Sequence, residues 1–255
     1  MKKNTFRTIL TLAAFGFIGL QAQAQGIVVN KTDGTKVYYK AAEVESVGVY
    51  GYGEEPEPEK PDVNDHEYVD LGLSVKWATM NIGASSPEDY GDYFAWGETK
   101  PKDTYNWSTY TLCKGSSTTM TEYCTSSSYG TVDNKTVLDL EDDAARANWG
   151  GTWRMPTKAE QDELRTNCTW TWTTQNGKNG YKVTSKTNGN SIFLPAAGSR
   201  YGSSLYDAGS YGGYWSSSLL TSTSSSAYYL GFNSSDVDWY YSTRYDGRSV
   251  RAVCL

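Results

Sequence analysis

The chain predicts an α+β fold, and two observations predict it. Helical patterns are confined to residues 139–166. After Cys168 only short β segments follow, cut by Gly, Asn and Ser: TWTWTT, GYKVTS, SIFLPAAG, YWSSSLL, AYYLGF, VDWYY and SVRAVC. Two helices followed by a twisted, loop-rich antiparallel sheet is an α+β arrangement.

Taken in order, the chain opens MKKNTFRTILTLAAFGFIGLQAQAQ. Basic Lys2, Lys3 and Arg7, an apolar run from Ile9 to Leu20, and small Ala22 and Ala24 make residues 1–24 an expected secretory signal peptide. The apolar run is too short to cross a bilayer comfortably, so no transmembrane segment is expected after cleavage. Residues 25–52 are expected to form a small β unit. GIVVNK and KVYYK flank TDGT, whose Asp33-Gly34 is a hairpin signal, and AEVESVGVY at 42–50 alternates apolar and polar. GYGEEPEPEKPDVND at 51–65 is rich in Pro and acid with little to bury, so 53–66 is an expected stiff, solvated linker.

Globular composition begins near Tyr68, giving a domain at 67–255. LGLSVKWATMNIG (71–83) is apolar with strand formers, and YFAWGETKP (93–101) carries a turn. DLEDDAARAN (139–148) is helical and Gly150-Gly151 stops it. Thr157-Lys158-Ala159-Glu160 after Pro156 is a capping box, predicting a helix from Lys158 to about Thr166. No fixed-period repeat is present.

Net charge is −6, and loss of Lys2, Lys3 and Arg7 with the leader makes the remainder more acidic. An acidic chain without a basic stripe is not expected to bind nucleic acid. Export permits disulfides, and four cysteines allow three pairings. Cys168–Cys254 and Cys113–Cys124 are the favoured ones. With one histidine, His66, and no Cys-x-x-Cys, no His/Cys metal site and no cofactor are expected.

Four strings resemble a bacterial secreted family: WGGTWRMPTKAEQDEL (149–164), IFLPAAGSRYGS (192–203), GGYWSSSL (212–219) and GRSVRAVC (247–254). The family carries the C-type-lectin-like fold in the variant shared with formylglycine-generating enzymes. It includes the Fibrobacter major paralogous domain and the variable proteins of diversity-generating retroelements. The resemblance covers residues 67–255 and implies a C-type-lectin-like domain of two helices and twisted antiparallel sheets behind the small β unit. In the retroelement branch a C-terminal cassette is rewritten at adenines, Trp239 being an expected unmutated scaffold position, and Asn codons become Tyr, Ser, Asp, Thr or Gly, never Trp, Lys, Glu, Gln or Met. Residues 221–248 contain none of those last four. The resemblance also implies that Arg244 and Arg251 are structural, pairing with buried acids or carbonyls.

Period-two alternation sorts the same stretch. Leu230 and Phe232 fall on one face, Gly231 and Asn233 on the other; Val237 and Trp239 point inward, Asp236, Asp238 and Tyr240 outward. Tyr, Ser, Gly, Asn and Asp are the residues of antibody-type contact surfaces, where Tyr gives rigid area and small polar residues adapt. The candidate ligand-binding residues are therefore Gly231, Asn233, Ser235, Asp236, Asp238, Tyr240, Tyr241, Ser242, Thr243, Tyr245 and Asp246.

Catalysis is not expected. Cys254 is the only cysteine in the last 80 or so residues, so the reactive pair of the formylglycine-generating relatives is missing. Glu160, Glu163, Asp236 and Asp238 are the carboxylates available for glycoside hydrolysis, and capping or surface contact accounts for them more simply. No calcium-lectin string of the Glu-Pro-Asn or Trp-Asn-Asp kind occurs. Trp107, Trp170 and Trp172 are the candidates for sugar stacking. The expectation is an exported ligand-binding or adhesion protein, periplasmic, secreted or on the cell surface, with an unidentified protein or glycan partner. The alternatives are a fimbrial or surface structural subunit and, less favoured, a carbohydrate-active or formylglycine-type enzyme.

Overall fold

Strands form where β-branched and aromatic residues run together between Gly, Asn and Ser. The computed structural model describes residues 26–30, 34–40 and 66–255, and the chain divides into units at 1–60 and 61–255. The expected signal peptide, the run at 42–50 and all of the linker before His66 lie outside the described residues. In the first unit the expected hairpin is present: β1 (Gly26–Asn30) pairs antiparallel with β2 (Lys36–Lys40), Gly26 opposite Lys40.

The second unit holds four small antiparallel sheets. β3 (Tyr68–Val69) and β4 (Lys76–Ala78) are joined by the C-terminal β13 (Val253–Cys254), with Val253 opposite Trp77. β5 (Cys168–Gln175), β6 (Lys178–Ser185) and β7 (Ser191–Pro195) form a meander. β8 (Ser199–Tyr201) and β9 (Ser204–Tyr206) form a short hairpin. β10 (Tyr211–Leu219), β11 (Ser226–Asn233) and β12 (Asp236–Thr243) make the third three-stranded sheet, with β11 central.

The helices are few and short. α2 (Lys158–Asn167) starts at the expected capping box, Thr157 and Glu160 exchanging hydrogen bonds with each other's backbone. α1 (Ala144–Trp149) is shorter than expected, because Asp143 is the residue whose carboxylate caps it, accepting from the amides of Ala145 and Arg146; residues 140–142 form a separate 3-10 turn. α2 buries only Gln161 and Leu164. Helices of 6 and 10 residues cannot make a layer. The expected α+β, C-type-lectin-like arrangement is therefore corrected: the unit is mainly β, its core closed by antiparallel sheets with one helix docked on β10 and β11. Among the described residues no helix is long and apolar enough to cross a membrane.

Two apolar clusters fill the interior. One gathers Leu71, Trp77, Leu164, Tyr181, Val183, Ile192 and Leu194 around Phe232, which stacks on Tyr214 at 5.8 Å. The other gathers Phe94, Trp96, Tyr105, Tyr110, Tyr123, Trp149 and Trp215. Trp107, Trp170 and Trp172 are half-buried and pack against these clusters, edge-on to tyrosines, rather than forming an open stacking platform. The expected disulfides are also corrected: all four cysteines are free. Cys168 and Cys254 belong to different clusters, while the Cys113 and Cys124 thiols bond carbonyls near their own positions in the chain. Burial pushes the Cys168 thiol up to about 11 and raises that of Cys254, so both stay protonated.

Two arginines bind the C-terminal segment into the centre. Arg251 is 1% exposed. Its Nε donates to Asn81 Oδ1 (3.0 Å), Nη1 to the carbonyls of Ala78 and Thr79 (both 3.1 Å), and Nη2 to that of Phe193 (2.9 Å). Arg244 is fully buried; it donates to the Tyr110 hydroxyl (2.7 Å) and to the carbonyls of Glu122, Tyr123 and Ser224, with its guanidinium 4.8 Å from the Trp96 ring centre. Carbonyls, not acids, receive both charges. Burial lowers Arg251 to about 10, which leaves it protonated at neutral pH. Replacing Arg251 with Leu orphans four buried oxygens and is expected to cost about 3 kcal/mol or more, with Arg251→Lys recovering only part because one ammonium cannot span them. Urea unfolding checks this, and a loss under about 1 kcal/mol would contradict it.

Candidate functional site

The β11–β12 hairpin turns through Ser234 and Ser235, with Asn233 Oδ1 accepting from the Ser235 amide and hydroxyl at 2.9 Å. Register places Gly231 opposite Asp238, Tyr229 opposite Tyr240, and Leu230 opposite Trp239. One face of the sheet therefore carries Leu230, Phe232, Val237 and Trp239, and packs toward α2 and the Phe232 cluster. Trp239 is half-buried there, its Nε1 donating to Asp162 at 2.9 Å and Lys158 lying 4.3 Å from the ring centre. That bond is the largest influence holding the Asp162 carboxyl below its usual range.

The opposite face carries Tyr229, Gly231, Asp236, Asp238 and Tyr240. The Arg248 guanidinium lies 3.6 Å from the centre of the Tyr229 ring, and Tyr229 stacks on Tyr240 at 5.8 Å. Tyr211 donates its hydroxyl to that of Tyr229 at 3.0 Å. Tyr240 donates to Asp236 at 2.8 Å, and this bond raises the Tyr240 hydroxyl pKa. The result is a ladder of one buried cation and two rings that ends in solvent at Tyr240, 39% exposed.

Of the expected ligand-binding residues, Asn233, Ser235, Asp236, Asp238, Tyr240 and Tyr241 are exposed. Ser242, Thr243 and Asp246 are half-buried and bonded to one another: both hydroxyls donate to the Asp246 carboxylate, which lies 3.6 Å from Arg248 Nη2. Two expectations of outward placement fail. Tyr245 is buried edge-on to Trp107 at 4.7 Å, because the chain has left β12 and turned inward at Arg244. Gly231 is buried because the Tyr211, Tyr229 and Tyr240 rings close over it; a Cβ there would stand 2.7 Å from Tyr240 Cδ2. Tyr241, 65% exposed, lies on the opposite face of β12 from Tyr240, opposite Tyr228. The two tyrosines flank the strand rather than sharing a ledge.

The β8–β9 hairpin adds residues that period-two reading of 221–248 missed. Tyr201, Leu205 and Tyr206 are 58%, 40% and 50% exposed. The hairpin is fixed to the loop after β12 by paired bonds between Arg200 and Gly247, and Tyr201 comes within 5.8 Å of Tyr245. The available signal was Gly202-Ser203, a two-residue turn between Tyr201 and Ser204, with Tyr206 following on the return strand.

The other polar groups are engaged elsewhere. Glu160 caps α2 and pairs with Arg154 at 2.6 Å, and Glu163 accepts from the Ser74 amide. His66 stacks on Trp149 with ring centres 3.8 Å apart. Among the described residues no three His, Cys, Asp or Glu side chains gather as a metal-binding group.

Gly231→Ala is expected to push Tyr240 off Tyr229 and cost about 1–3 kcal/mol; loss of ring-current shifts at Tyr229 would report it, and unchanged shifts would contradict the packing. No protein-family model, curated protein or solved structure matches the chain.

Proposed function

We propose that the chain is an exported binding protein that holds a macromolecular partner on the β12 edge, the following turn and the β8–β9 hairpin, by shape and hydrogen bonding without chemistry. The observation that carries this reading is the set of exposed tyrosines, Tyr201, Tyr206, Tyr240 and Tyr241, on β8, β9 and β12, with β12 anchored by the half-buried Val237 and Trp239. Tyrosine offers large contact area with few rotamers to freeze, and Asp236, Asp238 and Ser235 beside it supply adaptable polar contacts. The leader-like N-terminus supports export. The alphabet of residues 221–248 supports membership among the variable proteins of diversity-generating retroelements, with the exposed positions of β12 as the altered ones.

Replacing Tyr201, Tyr240 and Tyr241 together with Ala is expected to reduce adherence of the labelled chain to its target surface at least about tenfold, while shifting unfolding by under about 1 kcal/mol. Adherence is read on glycan arrays and intact cells. Retained adherence would sink the proposal, and a large stability loss would make these residues structural. DNA beside the gene is expected to hold an imperfect copy of the 3′ cassette that differs only at adenines, next to a reverse-transcriptase gene; an unaccompanied gene would remove the retroelement part.

A further inference from the structure

A cavity of about 320 Å³ opens over β7, within the size range of small-ligand sites. None of the exposed tyrosines of β8, β9 and β12 lines it. Phe193 of β7 lines it from the same sheet face as its cross-strand neighbour Lys182 and as Ser191, Ile192 next to it turns its side chain into the core, and Val69 and Pro87 complete the apolar lining. Phe193 is 4% exposed because its ring occupies the space above Gly180 on β6; a Cβ there would stand 2.8 Å from Phe193 Cζ. The wall is tied in place: Glu88 accepts from Gln175 Nε2 (3.2 Å) and from Asn176 Nδ2 (2.7 Å), pinning the Pro87 loop to the β5–β6 turn.

The rim is polar and carries one cation. Gln175 spends its amide nitrogen on Glu88, which leaves its carbonyl as an acceptor. Ser191 Oγ makes no hydrogen bond to another described residue, and the exposed Lys182 has no carboxylate within ion-pair distance among the described residues. An apolar lining suits the C–H face of a ring, hydroxyl and amide groups at the rim suit its hydroxyls, and an unneutralised ammonium suits one carboxylate. The volume admits one such ring and not a polymer.

We propose that this cavity binds a monosaccharide-sized polyhydroxylated carboxylate of the uronic acid type, independently of the partner surface. The probe is D-glucuronate, titrated into the full chain and followed by amide chemical shifts, with D-glucose and acetate as separate arms. Glucuronate is expected to shift Ser191, Phe193 and Thr79 saturably with a dissociation constant of about 1 mM or tighter, and glucose and acetate to bind at least about tenfold more weakly. Lys182→Met, a surface change, is expected to reduce glucuronate to the level of glucose. Absence of saturable shifts at these amides, equal binding of acetate, or unchanged affinity in Lys182→Met would overturn the assignment.

Discussion

The fold depends on burying charge where there is no countercharge. Arg251 sits at the centre with a guanidinium that touches four oxygens from two separate segments: residues 78–81 and Phe193. Loops cannot satisfy their own carbonyls as sheets do, and a buried unpaired carbonyl is costly. Guanidinium is the one side chain that carries five donors in a fixed plane, so a single residue can close several loop carbonyls at once. Arg244 repeats the solution in the second cluster, bonding three carbonyls and the Tyr110 hydroxyl among aromatic faces. These two residues explain how a chain of short strands and long connections keeps one interior. They also explain why the C-terminal segment, which contributes only a two-residue strand, is buried almost throughout.

Arg248 extends that spine to the surface. It lies between Trp215 and Tyr229, and Tyr229 in turn supports Tyr240. A ring stacked on a buried cation is held in place, and the ring stacked on it in turn has fewer conformations open to it. The exposed Tyr240 is thus continuous with the buried Arg248 and Tyr229, and a single stacking interval separates interior from surface.

Legibility in the sequence tracked how local the determining physics was. The capping box at Thr157–Glu160 fixed α2, the TWTWTT string marked β5 as a strand, and the Leu230/Phe232 and Val237/Trp239 alternation of β11 and β12 placed strands and faces well. These signals lie within a few residues. Tyr245 was misplaced because period two holds only while the strand continues, and nothing local announces that Arg244 pulls the chain inward onto carbonyls more than 100 positions away. Gly231 was misread because β11 is covered on both faces, one by the Phe232 cluster and one by Tyr211 and Arg248. The helices were overweighted: two cap signals predict two helices, but not that each buries too little to form a layer. Cysteine pairing was the least legible, since it is a matter of three-dimensional proximity alone.

The placement of the exposed tyrosines on β12 follows from its position at the sheet edge. β11 has a neighbour on each side and cover on each face, so any change in its side chains meets several groups. β12 touches β11 on one side only. Its residues at 236, 238, 240 and 241 each face one cross-strand partner and are exposed, Asp238 also lying 3.8 Å from Arg165 Nη1 and Asp236 accepting from Tyr240. Substitution there alters the surface while the register, set by Val237 and Trp239 packing inward, stays fixed. An open edge is ordinarily a liability for self-association. Here Asp238 turns its carboxylate back to accept the Trp239 amide at 2.7 Å, which removes one backbone donor from the edge and places a negative charge beside it. The edge is thus guarded at Asp238 against recruiting a second strand, and that guard belongs to this one side chain.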